Sequence, residues 1–250
     1  MKEKLHTIPV NDAFDAGDEC PFCFLERQAE QRALRYVAGP SASYMEPDVR
    51  EATNRVGFCR AHMKKLYDYG NVLGTALMLQ TYYIDMLEEF HRDAAGMEVP
   101  EKRGLFQKKQ PSREDAWWRR LNARVDSCYI CDKIDYNMGR YYATFFALVK
   151  EPEFRAKVEG SKGFCLGHFA KLLELAEELC PAAQREWFYA TAARLTEENL
   201  IRVKGDLDWL IDKYDYRNAG ADWRNSRDAL QRAMQKLEGG YPADKPYKAD

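Results

Sequence analysis

One arrangement of cysteine and histidine occurs twice in this chain, in the same order, and it limits the fold more than anything else in the sequence. Cys20-Pro21-Phe22-Cys23 is matched by Cys128-Tyr129-Ile130-Cys131. Gly57-Phe58-Cys59-Arg60-Ala61-His62 is matched by Gly163-Phe164-Cys165-Leu166-Gly167-His168. Between them stand Glu46-Pro47-Asp48-Val49-Arg50 and Glu151-Pro152-Glu153-Phe154-Arg155, and after the histidines come Lys65-Leu66 and Lys171-Leu172. The offset stays between 105 and 108 residues throughout, which marks a duplicated unit.

Residues three apart on a first helical turn project to one side, so CxxC and CxxH each offer two ligands to one ion. Zinc takes four such ligands in a tetrahedron, and Cys3His is a common structural set. Read repeat by repeat, Cys20, Cys23, Cys59 and His62 hold one zinc ion, and Cys128, Cys131, Cys165 and His168 hold a second. An iron–sulfur cluster is the alternative occupant. Four protein ligands leave no open coordination position, so such a site stabilises a fold and does not activate water. The total of seven cysteines is odd, which argues against a closed disulfide framework. Cys180 is left over and reads as a packed small hydrophobe. His6 and His91 have no cysteine context and read as ordinary residues outside any site.

The pattern around these motifs is helical, giving an all-α protein of two tandem pseudo-repeats. Each repeat is a unit of roughly four helices stapled by its own Cys3His site, and a C-terminal helix follows. Phe24 to Val37 is rich in helix formers and ends at Gly39-Pro40. A short helix starts at Glu46-Pro47 and closes at Gly57, and a third runs from Cys59 to about Tyr69. A long fourth helix covers about Val72 to Asp93, with Ala76, Leu79, Tyr83, Met86 and Phe90 as its expected buried stripe. In the second copy the long helix covers about Ala182 to Tyr214, with Phe188, Leu195, Val203, Leu207 and Leu210 on one side and a bend expected at Gly205. The expected boundaries are 1–94 for the first repeat, 95–116 for a linker, 117–215 for the second repeat, and 216–250 for a helix over Asp222–Leu237 and a tail.

With 46% hydrophobic residues and a formal charge of −2, the chain has a core and no general attraction to nucleic acid or anionic membrane. Its longest apolar stretch, around Tyr141–Val149, is half what a bilayer needs. The first residues lack the apolar core of a secretory signal, so the expected compartment is the cytoplasm. The basic run Lys102–Arg120, with Trp117 and Trp118, is diluted by Glu101, Glu114 and Asp115 and reads as a linker entering an amphipathic helix. The late aromatics Trp187, Phe188, Tyr189, Trp209, Tyr214, Tyr216 and Trp223 read as core before they read as a pocket. No phosphate-loop, dinucleotide, nucleophile-elbow or zinc-protease motif occurs. The functional expectation is a non-enzymatic, metal-stapled helical protein that binds a partner protein or a small ligand. The alternatives are an iron–sulfur or thiol-based redox protein and, after it, a nucleic-acid-binding protein.

Thr7-Ile8-Pro9-Val10-Asn11-Asp12-Ala13-Phe14, Glu19-Cys20-Pro21-Phe22-Cys23 and the two GFCxxH elements resemble a bacterial domain family of unknown function common in anaerobic Firmicutes. The resemblance covers roughly residues 5 to 215. It implies a duplicated helical protein with two CxxC…CxxH sites and implies no activity. The second CxxC departs from the pattern, with Tyr129 where the first has Pro21.

Overall fold

The computed structural model describes residues 6–41, 43–96 and 117–240. Among them are eleven α-helices and no strand, as the all-α reading expects. Over the described residues two compact units interleave along the chain, one bounded by Met1–Ala29 and Ile134–Lys245, the other by Glu30–Lys133. The compact bodies are therefore not the tandem stretches 1–94 and 117–215. The reason is local: helices α2 (Pro21–Ala38) and α7 (Tyr129–Leu148) each begin in one unit and end in the other.

The first unit contains α1 (Ile8–Asp15), the start of α2, most of α7, α8 (Pro152–Glu159), α9 (Leu166–Leu179), α10 (Arg185–Asp212) and α11 (Ala229–Glu238). Its core is aromatic. The Phe145 ring lies 5.1 to 6.3 Å from the rings of Phe14, Phe22, Phe146, Phe154, Phe164 and Phe188, mostly edge to face, the geometry in which aromatic pairs attract. Phe22 from the first CxxC and Phe164 from the second GFCxxH meet here at 5.9 Å, so motif residues of different repeats share one core. Gly163 has φ +71°, and a Cβ on it would stand 3.0 Å from the Leu195 backbone. Glycine at that motif position meets both a conformational and a steric demand.

The second unit contains the rest of α2, α3 (Pro47–Val56), α4 (Arg60–Tyr69), α5 (Val72–Ala95), α6 (Trp117–Asp126) and the start of α7. Leu34, Val37, Val49, Leu66, Tyr69 and Met78 are buried in it. α3 packs on α5, where Arg50 donates to the Leu77 carbonyl (3.2 Å) and Thr81 to Asn54 Oδ1 (2.8 Å). Gly57 ends α3 with φ +64°, and its carbonyl accepts from the Tyr129 N–H at 2.9 Å. This bond ties the first GFCxxH to the second CxxC.

Several sequence expectations are corrected in detail. α1 has no counterpart in the sequence reading, although Pro9 stands in its first turn. α11 begins at Ala229, not Asp222, because Arg224 adopts φ +50°, which a helix excludes. α10 runs through Gly205 as one helix and buries Phe188, Leu195 and Val203 as expected. Most of the expected linker and the tail beyond Gly240 fall outside the described residues. The stripe expected on α5 is not the buried one: Gly74 and Met78 are buried, whereas Ala76, Tyr83 and Phe90 are exposed and Leu79 and Met86 half-buried. α5 is apolar nearly all round in its first half, so periodicity alone does not choose a face; close approach at Gly74, where a Cβ would stand 2.7 Å from the Tyr44 ring, does. Met78→Ala is therefore expected to cost about 2–5 kcal/mol, while Tyr67→Gln, at an exposed position of α4, stays within about 0.5 kcal/mol, both read as shifts in the urea midpoint.

Candidate metal centres

Each ligand pair occupies the beginning of a helix. Cys20 precedes α2 and Cys23 is in its first turn; Cys128 and Cys131 hold the same places on α7. Cys59 is the N-cap of α4 and Cys165 that of α9, with His62 and His168 three residues on. The Cys165 sulfur accepts from the His168 backbone N–H at 3.4 Å. Free N–H groups and the positive end of the helix dipole favour thiolate over thiol at all four starts.

The structure brings all eight predicted ligands into two groups of four, with a partition that corrects the sequence reading. Cys20 and Cys23 join Cys165 and His168; Cys59 and His62 join Cys128 and Cys131. The first CxxC thus meets the second CxxH, and the second CxxC the first CxxH. Helix length gives the reason: the 18 residues of α2 carry the chain about 27 Å from its CxxC. Residues 39–46 and the 10-residue α3 then lead to the first CxxH, which stands with the second CxxC instead. Motif spacing alone permits either pairing; comparing the lengths of the intervening helices was the available signal.

The geometry within each group is that of one ion's ligands. His168 Nδ1 lies 3.5, 3.4 and 3.1 Å from the sulfurs of Cys20, Cys23 and Cys165, and Cys23 and Cys165 are 3.6 Å apart. His62 Nδ1 lies 3.2, 3.3 and 3.4 Å from those of Cys59, Cys128 and Cys131, with Cys59 and Cys131 3.9 Å apart. A ring nitrogen has one in-plane site and makes one good hydrogen bond. Three sulfurs at nearly equal distance from it describe a tetrahedron's face. A zinc ion with sulfur at about 2.3 Å and nitrogen at about 2.0 Å sets its ligand atoms roughly 3.5–3.8 Å apart. The donor sets therefore fit one metal ion each.

The other imidazole nitrogens face carboxylates. His62 Nε2 is 3.0 Å from Glu30, which also pairs with Lys65; His168 Nε2 is 3.8 Å from Glu26. Such partners orient a ligating histidine and raise its basicity. No sequence pattern singles out Glu26 and Glu30 on α2, because their role depends on where each histidine arrives. The four side chains of each group are strongly coupled to one another. Burial opposes charge on His62, yet Cys128 and Glu30 outweigh it and push its pKa up to about 10. Burial likewise opposes a Cys128 thiolate, but hydrogen bonds from His62 and from the Cys131 and Cys59 backbone bring it down to about 6. Against burial, His168 is pushed up to about 10 by Cys165 and Cys20. Hydrogen bonds with Cys20 and Cys23 hold Cys165 well below the usual thiol range, and the same contacts with Cys165 and Cys20 raise Cys23.

The first group is covered. Cys20, Cys23 and Cys165 are at most 1% exposed. The backbone at Gly239, just past α11, lies over two sulfurs: a Cβ there would stand 3.6 Å from Cys165 Sγ and 3.7 Å from Cys23 Sγ. α11 is fastened beside it by buried polar groups. Lys236 donates to the carbonyls of Glu19 (2.5 Å) and Lys162 (2.6 Å), and Gln235 to Asp18 (2.6 Å). The sequence reading expected the helix but not this role. In the second group Cys59 and Cys131 are partly exposed.

The remaining candidates stay ordinary. Cys180 is buried, and burial raises its thiol pKa; His6 and His91 are exposed. Of the late aromatics only Phe188 is core, while Tyr214 and Tyr216 project outward. Residues 102–116 of the basic run lie outside the described residues; in α6, Arg120 pairs with Asp93 and Arg124 with Glu89. No described helix is long and apolar enough to cross a membrane.

Fold and site together define an all-helical protein with two Cys3His groups, each built from two helix beginnings. The chain belongs to the family of unknown function DUF6062, which matches residues 1–244 and so extends through α11. No curated protein and no solved structure matches it.

Crossed pairing has a direct test in metal counts of double variants. Cys20→Ser/Cys165→Ser removes ligands from one group only and is expected to lose one ion, whereas Cys20→Ser/Cys59→Ser damages both groups and loses both. Elemental analysis giving the reverse order restores the tandem partition.

Proposed function

We propose that the protein is a non-enzymatic helical scaffold held by two structural zinc ions, and that it acts by binding another protein. The observation that carries the metal reading is the convergence of three sulfurs on a single imidazole nitrogen in both groups. It favours zinc over an iron–sulfur cluster, since several irons hold their outer ligands farther apart than a lone ion does. Four protein ligands also leave no place for substrate. Chain purified under reducing, anaerobic conditions is expected to contain about two zinc per molecule and to lose helicity with a chelator. Iron with absorbance near about 400 nm supports the redox alternative instead, and less than about one metal per chain ends the structural-metal reading.

The partner-binding part rests on α5. A helix with apolar residues on two faces has both covered in its working state, and here the described residues cover one. Leu73, Leu77, Gln80, Ile84 and Leu87 follow alternating steps of four and three, the seam another helix packs against. Leu73 is 68% exposed, Ile84 52% and Leu87 49%. A second copy fits this seam in antiparallel orientation, because Gln80 lies midway between Leu73 and Leu87 and meets its own counterpart at the two-fold axis. Covering the exposed apolar parts of α5 on both copies removes on the order of 1,200 Å², the lower end of a stable interface. Light scattering is expected to give a dimer that Ile84→Glu/Leu87→Glu converts to monomer; wild-type chain monomeric at high micromolar concentration overturns self-pairing.

A further inference from the structure

The two Cys3His groups share ligands, helix positions and carboxylate support, but they differ in access. In the group of Cys20, Cys23, Cys165 and His168 all three sulfurs are buried, Gly239 lies over two of them, and the α11 contacts keep it there. In the group of Cys59, His62, Cys128 and Cys131, Cys59 and Cys131 are partly exposed at the first turns of α4 and α7, 3.9 Å apart. Cys128 and His62 are buried behind them.

Resting on the metal reading above, we infer that Cys59 and Cys131 form a peroxide-sensitive thiol pair whose oxidation releases one of the two ions. The thiolate of one residue attacks hydrogen peroxide; its sulfur gains oxygen as a sulfenic acid and hydroxide leaves. The neighbouring thiolate then attacks that sulfur, forming the Cys59–Cys131 disulfide and expelling a second hydroxide. Two electrons pass from the two sulfurs to peroxide, and the two hydroxides take up protons to become water. The ion, left with Cys128 and His62 alone, dissociates. A thiol reductant reverses the step. The covered group has sulfurs just as close, 3.6 Å between Cys23 and Cys165, and serves as the internal control: reactivity follows the exposure of the thiolate as well as its proximity to a second sulfur.

The test uses the full chain loaded with zinc without oxygen, treated with hydrogen peroxide in the presence of a chromophoric zinc chelator. One equivalent is expected to leave at least about tenfold faster than the other, with peptide mapping of the non-reduced chain placing the first disulfide at Cys59–Cys131. Cys131→Ser is expected to abolish the fast phase and leave the slow one. Should that variant fail to fold, brief iodoacetamide labelling of the native wild-type chain gives the same order, with Cys59 and Cys131 modified before Cys20, Cys23 and Cys165. Release of both ions at one rate, or a first disulfide at Cys23–Cys165, overturns the inference. If the purified chain takes up no metal, the structural-metal reading fails separately, and mapping on the metal-free chain still decides whether Cys59–Cys131 is oxidised first.

Discussion

The architecture depends on the joining of helix beginnings by sulfur and imidazole. A helix start presents unpaired N–H groups and a partial positive charge. Two facing starts repel unless negative ligands and a cation lie between them. In this chain α2 faces α9, and α4 faces α7, each pair bringing three cysteines and a histidine to one point. Thiolates at these starts answer the helix dipoles, and an ion bound between them would answer the thiolates.

The rest of the chain then divides into what surrounds each cluster. One is set against phenylalanines and is roofed by the residues following α11; the other has two sulfurs near solvent. The same set of side chains thus stands in two surroundings. The exposed face of α5 adds a feature unrelated to metal, an apolar seam with helical periodicity and no cover from the described residues.

Much of this was legible in the residues. All eight ligands followed from their repetition and spacing, and the helices starting at Pro47, Arg60 and Val72 followed from proline, cysteine and glycine landmarks. The partition of ligands did not follow, because a CxxC is chemically complete with either CxxH. Only the geometry of the helices between them decides. The buried face of α5 was illegible for a similar reason: with apolar residues on both sides, the outcome rested on the close approach that Gly74 allows, a tertiary fact. α11 was readable as a helix, but the burial of Arg232, Gln235 and Lys236 was not, because their partners Asp18, Glu19, Lys162 and Asp206 come from distant segments.

The crossed partition also sets a topology for the chain as a polymer. Tandem staples would close two separate short loops. Here the ligands of one ion are 66 to 72 residues apart and those of the other 142 to 148, so the shorter ring lies wholly inside the longer. Closing the outer ring first costs only about 0.6 kcal/mol more than closing the inner. Once the inner is tied, however, the outer is effectively shortened. Were each group to take up an ion, the nesting would favour filling the inner before the outer.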